Sequence, residues 1–469
     1  MGDEEPRDYE SMKQLLVLVN RFEKAILENN SSYFESDELE EIIEYYFEKN
    51  KVKKAMVVID YAIERFAVYS VFHLRKAQLL AATKQSQKAL EILSYVEKLD
   101  PDNAELYMTK GSIYGQMGLS SQAIENYKKA ADLSETFEEV FMAIAFEYED
   151  SGKMEDAIYY IKKVLEEHPD SEMAIYELAF CYHCTQKFKE AITYYKEFLE
   201  REPYSPAAWY NMGVAYSHLF KFAEAIDAYD YAIAIDPEFS SAYFNKANSL
   251  AMSNKLEEAL VVYKETLKLE QEDDLTYYCM AECYEKMDDM EKALVYYHKA
   301  VSVNPDMDEA LLGVAICLDA LERTSEAIHY AKKAISLDDT NAEYWYVYGE
   351  LLTDLKFYEE AEIAFKKVIE LDPSDADVWL SYANMLFEQE DKNGSLEILA
   401  EAIKHHPQNA ELQYRISACL MSIGQTQEAL SFLSAALKMN YEKHTELFEY
   451  LPILRNNSSI IELIESFKK

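Results

Sequence analysis

The chain has 469 residues, and its 87 Asp and Glu outnumber 46 Lys and Arg to leave a formal net charge of −41. A field of that sign repels phosphate backbones and argues against nucleic acid as a partner. With 49% apolar residues, 38 tyrosines and only 10 Gly and 10 Pro, the composition predicts long helices around a core, disfavours sheet folds and excludes a disordered acidic tail.

The N-terminal segment, 1–35, opens MGDEEPRDYE, acidic where a secretory leader is basic. Pro6 stands where myristoylation at Gly2 needs Ser or Thr. No apolar run approaches the ~18–20 residues of a membrane span. Six cysteines are too sparse for a disulfide framework. The expectation is a cytoplasmic protein without membrane insertion. Ser11 to Gln14 reads as a capping box that opens a helix through about Glu28, with Leu15, Leu18, Phe22 and Ile26 on one face. This is taken as a capping helix.

From 36 to 443 the chain repeats itself. Prolines fall at 101, 169, 203, 237, 305, 373 and 407, every gap being 34 or 68. Twelve residues before each slot of this 34-residue period, whether or not the slot holds proline, stand Ala89, Ala123, Ala157, Ala191, Ala225, Ala259, Ala293, Ala327, Ala361, Ser395 and Ala429. A second small column runs from Ala77 and Gly111 through Gly213 and Gly349 to Ser417. Two small columns per period mean two places where helix backbones approach closely, and large apolar columns lie between them. Trp209, Gly213 and Tyr216 are spaced i, i+4, i+7, as are Ala225, Tyr229 and Ala232, so each unit is a helical hairpin. Units start at 36, 70, 104, 138, 172, 206, 240, 274, 308, 342, 376 and 410, the first being weak but keeping Tyr46, Ala55 and Ala62.

The tail, 444–469, leaves the register. Ser459 to Glu462 reads as a second capping box, and Ile460, Ile464 and Phe467 make an apolar stripe, predicting a second capping helix.

Residues 206–239 carry Trp209, Gly213, Tyr216, Ala225, Tyr229, Ala232 and Pro237, and on these columns the chain resembles the tetratricopeptide repeat family. The resemblance implies an all-α fold, a right-handed superhelical solenoid of about twelve 34-residue helix-turn-helix repeats between capping helices. It also implies a non-enzymatic scaffold that holds a peptide or partner segment in a concave groove lined by the first helix of each unit.

Motifs for catalysis and cofactors are missing: the sequence has no Gly-rich phosphate loop, nucleophile elbow or HExxH. No cofactor is expected. Asp372, Asp375 and Asp377 have the look of a calcium loop but the wrong spacing, and aspartates beside a helix N-terminus account for them. Cys181 and Cys184, with His218 one unit on, leave a zinc-binding protein or zinc enzyme as an alternative. Against it, Cys181 shares a column with Cys283, Cys317 and Cys419, where small buried residues recur.

Groove candidates follow from the family and from columns that vary between units. One column gives Phe146, Phe180, Val214, Asn248, Glu282 and Glu350; its neighbour gives Met142, Tyr176, Tyr210, Phe244 and Tyr278. Asn211 and Asn245 occupy an asparagine column, and Glu285, Asp319 and Asp354 extend an acidic stretch. The carboxylate clamp of chaperone-binding relatives is incomplete, since Ser241 and Asn245 stand where it needs Lys and Arg. The expected partner is therefore a protein segment with apolar anchors at one end and basic residues at the other. Self-association, with a groove or end binding another copy, is a further alternative.

Overall fold

A computed structural model of the chain describes residues 9–28, 32–134 and 137–468, and among them every regular element is helical. Two compact units divide it, Met1–Asp236 and Pro237–Lys469.

After α1 (Tyr9–Leu27), first helices of 13 residues alternate with second helices of 14, from α2 (Ser36–Glu48) and α3 (Val52–Arg65) to α24 (Ala410–Ser422) and α25 (Thr426–Met439); α8 (Phe137–Asp150) is one residue longer than its counterparts. The two kinds differ in what they bury. First helix α12 (Pro206–His218) is covered on several sides, burying Ala207, Ala208, Asn211, Met212, Gly213, Ala215 and Tyr216. Second helix α13 (Phe222–Ile235) buries one stripe, Ala225, Ala228, Tyr229 and Ala232, and keeps its other face wet. The stripe packs on α12, and Gly213 sits against the Tyr229 ring.

Turn chemistry fixes each hairpin. Several first helices start on side-chain caps: Asn103 accepts from the Leu106 amide, Ser205 from Ala208, Asp273 from Thr276 and Asn409 from Leu412. Asp375 caps its helix through the Asp377 amide at 2.9 Å, and Asp372 accepts from Ser374, which accounts for the aspartates that resembled a calcium loop. Between the two helices of each pair one residue is left-handed, including Gly118 and Gly152 at φ +70° but also Gln186, Phe220 and Lys356. Between successive pairs the three tryptophans reach back six residues to a carbonyl: Trp209 Nε1 to Pro203, Trp345 to Asp339 and Trp379 to Pro373.

Both predicted capping boxes are displaced. The first helix begins at Tyr9, so Ser11 lies within it; its buried face is Leu15, Val19, Phe22 and Ala25, with Leu18 half-buried and Ile26 exposed. At the other end Asn457, not Ser459, caps α27 (Ser458–Ser466), accepting from the Ile460 amide at 3.4 Å. Two 3-10 turns and α26 (Glu446–Tyr450) precede it, where the sequence shows no pattern.

Candidate functional site

In the first unit the aromatic candidates divide by exposure. Phe146 on α8, and Tyr176 and Phe180 on α10 (Glu172–Cys184), are 38%, 42% and 50% exposed. Tyr210 and Val214 on α12 are half-buried against the core, the Tyr210 ring 5.9 Å from that of Tyr229. Met142 and Asn211 are only 4% and 6% exposed, so neither offers appreciable surface; the Asn211 amide nitrogen is buried without a hydrogen-bond partner. Helices α10 and α12 touch directly, and α8 meets α10 both through α9 (Met154–Glu167) and through the hydrogen bond from Cys181 to Glu149. Burial first, then Glu172 and Asp236, hold the Tyr176 hydroxyl above the ordinary phenol range.

In the second unit, Phe244, Asn245 and Asn248 on α14 (Ser240–Met252) are half-buried, and Tyr263 donates its hydroxyl to Asn248. Three first helices, α16 (Asp274–Lys286), α18 (Asp308–Ala320) and α20 (Ala342–Asp354), enclose a cleft of about 270 Å3. Glu282, Glu285, Glu309 and Glu343 bring four carboxylates to it against the single ammonium of Lys286, while Leu312 and Ile316 supply an apolar wall. Tyr297 donates to Glu285 Oε2 at 2.6 Å and Tyr278 to Glu282 Oε1 at 3.3 Å, which holds both acids in place. Of the cleft's acids, Glu309 and Glu343 are missing from the sequence-based candidates. Acids in the first turn of a helix are so common that no signal distinguished these.

Further along the same unit, burial first and then Asp354, Asp319 and Glu388 raise the Glu350 carboxyl above the usual range. Asp354 is raised by burial and by Asp319. Asp319 is steadied by the Thr324 hydroxyl at 2.7 Å. The acids predicted from α18 and α20 are thus near enough to repel one another.

The zinc alternative does not fit the geometry. Cys181 is buried and its Sγ donates to Glu149 Oε1 at 3.2 Å, whereas Cys184 is exposed. His218 stacks on Phe188, ring centroids 4.4 Å apart. Among the described residues no three His, Cys, Asp or Glu side chains are grouped to hold a metal ion. Nor is any described helix long and apolar enough to cross a membrane.

Family models described as tetratricopeptide repeat match residues 104–137, 206–239, 228–261, 275–307, 342–375 and 386–444. Among solved structures, YrrB, a TPR protein with an unusual peptide-binding site, is 27% identical over 39% of this chain and 94% of its own, with a TM-score of 0.36. The APC/C hetero-tetramer Cut9-Hcn1 is 16% identical over 87% of this chain and 94% of its own, with a TM-score of 0.42. MamA from Desulfovibrio magneticus RS-1 is 18% identical over 36% and 95%, with a TM-score of 0.35. No curated protein matches the chain. On the repeat models matched at intervals between residues 104 and 444 and the paired helices that realise them, the chain belongs to the tetratricopeptide repeat family.

Proposed function

We propose that the chain is a non-enzymatic cytoplasmic scaffold whose first-helix faces bind a segment of a partner protein carrying apolar anchors and basic residues. The observation that carries the reading is the cleft of the second unit, four carboxylates beside Leu312 and Ile316. A Lys or Arg side chain suits such a site, laying its methylene stem on the apolar wall and its charged head among the acids. The exposed rings of Phe146, Tyr176 and Phe180 in the first unit suit apolar anchors, since aromatic contacts usually dominate affinity while charges govern encounter. The net charge of −41 favours cationic ligands and disfavours nucleic acid. Partner identity, unit boundaries at the predicted 34-residue spacing and capping roles for the terminal helices belong to the same proposal.

The reading is tested with two synthetic peptides sharing Leu and Phe anchors, one with Lys and Arg and one with Glu in their place. The basic peptide is expected to bind, and to weaken as salt shortens the Debye length to ~8 Å near 0.15 M. Glu282→Lys with Glu350→Lys should slow its association, and Phe146→Ala with Phe180→Ala should weaken the complex. Equal binding of both peptides, or indifference to all four substitutions, would refute the reading.

A further inference from the structure

Beyond α25 the chain turns back onto first-helix side chains. Short helix α26 packs on α24, and its Tyr450 lies against Phe387 of α22 (Ala376–Glu388), ring centroids 4.6 Å apart. The Arg415 guanidinium of α24 sits 4.2 Å from the centre of the Tyr450 ring. Arg415 is itself held: its Nη1 donates to Asn384 Oδ1 at 3.2 Å and its Nη2 lies 3.9 Å from Glu411. The Glu388 carboxylate is near enough to act on the Tyr450 hydroxyl. Asn384 occupies the repeat column of Phe146, Phe180, Glu282 and Glu350. At this end, then, side chains in ligand-facing columns meet the chain's own tail.

A second observation concerns how well that contact is satisfied. Arg415 Nε, Glu446 Oε2 and Tyr450 Oη are buried without a well-formed hydrogen bond, the Tyr450 hydroxyl having only a marginal contact with the Ser395 side chain. Each leaves a desolvation cost unmet. Tyr414 on the same helix α24 shows the contrast, donating to the Asn440 carbonyl at 2.8 Å. A covalent tether keeps such a contact formed through high effective concentration, even where its polar groups are poorly matched.

We propose that residues 446–450 are an intramolecular ligand. Tyr450 fills an aromatic seat made by Asn384, Phe387, Glu388 and Arg415, and a partner segment displaces it by offering an aromatic ring together with groups that meet the unpartnered donors and acceptors. Displacement by a partner rests on the proposed binding role of the first-helix faces; occupation of the seat by Tyr450 does not.

The probe is a fluorescein-labelled peptide of residues 441–457, followed by anisotropy against the full chain and its Tyr450→Ala variant. The parent, its seat filled in cis, is expected to bind at least about tenfold more weakly than the variant, because only the open fraction is competent. A peptide itself carrying Tyr450→Ala should bind neither. Hydrogen exchange on a full-length Phe387→Ala chain, which lacks one wall of the seat, should show faster exchange at amides 446–451 with α25 unchanged. Equal binding to parent and variant, or no binding to a Tyr450→Ala chain of unaltered circular dichroism, overturns the proposal without touching the Glu282 cleft. Should that variant lose helicity, unchanged exchange at 446–451 in Phe387→Ala overturns it instead.

Discussion

A Cβ placed on Gly213 would stand 2.6 Å from Cε1 of Tyr229, a ring that is itself fully buried between the two helices of the hairpin. Gly213→Ala therefore has to push the ring or the helix away. Overpacking of this kind costs ~1–3 kcal/mol, against a helix-propensity gain of up to ~1 kcal/mol. Ala145, Ala179, Ala247 and Ala281 fill the same column in other hairpins, so the penalty belongs to this pairing and not to the position. Gly349 has more room, 2.9 Å to Phe365, and Gly349→Ala should cost less. Ala225→Leu should overpack the same hairpin as Gly213→Ala. Hydrogen exchange read hairpin by hairpin is the suitable measurement, because repeat arrays unfold in parts. An Ala225→Leu chain that exchanges like the parent would contradict the column assignment.

Phe220 holds φ +58° while 76% exposed, a backbone region that costs a side-chain-bearing residue roughly 1–2 kcal/mol. Phe220→Gly should release that strain. After the unfolded-chain entropy of glycine, ~0.5–1 kcal/mol, a modest net gain is expected from thermal melts. Gly118→Ala is the control. Nothing lies within 4 Å of its missing Cβ, so a loss of about 1 kcal/mol there would come from φ +70° alone.

Glu350 makes acid conditions stabilising locally. Its folded carboxyl is raised above the ordinary 4.5 by burial first, then by Asp354, Asp319 and Glu388. The folded state therefore holds the proton more tightly than the unfolded chain. Its favourable contribution is complete below the unfolded value and is lost as pH rises through the folded one. Glu350→Gln should thus stabilise the second unit at pH 7, and the advantage should shrink as pH falls toward 4.5. Denaturant titrations of parent and variant at a series of pH values give this difference directly; a constant difference across the range would contradict it.

Thiol reactivity should separate the cysteines sharply. Burial, then the hydrogen bond to Glu149, push the Cys181 thiol far above its ordinary 9.0, and burial takes Cys279 up to about 12 and Cys283 to about 11. Since the thiolate is the nucleophile, brief iodoacetamide treatment of the native chain should label exposed Cys184 first, with Cys181 protected until the protein unfolds. Mass spectrometry of the labelled peptides checks the order, and zinc analysis of the same preparation should find none bound through Cys181, Cys184 and His218.

The hairpins were legible because their requirement is negative: a column that tolerates only Ala, Gly or Ser marks a helix crossing whatever surrounds it. How deep a groove residue lies was not legible. Met142 and Tyr176 share a column, yet one is buried and the other open, because coverage depends on the side chains of neighbouring helices and not on register. Capping boxes misled for a statistical reason, Ser followed by Gln or Glu being frequent in so acidic a chain. Asn457 does the capping where the pattern pointed to Ser459, asparagine being as good an N-cap as serine. The seat of Tyr450 had no signal at all, since Phe387, Arg415 and Tyr450 meet only once the tail has folded back.

The three tryptophans, each tied by its indole nitrogen to the carbonyl six residues earlier, turn the joints between hairpins into optical reporters. Trp209 watches the junction at 203–209, and Trp345 and Trp379 those at 339–345 and 373–379. No indole lies before residue 209. Emission therefore sees fraying at these joints, where an indole trades its carbonyl for water, and is blind to the first two hundred residues. A tryptophan melt and a circular dichroism melt of this chain should part company wherever the N-terminal hairpins open on their own, and the gap between the two curves would report the order in which the array comes apart.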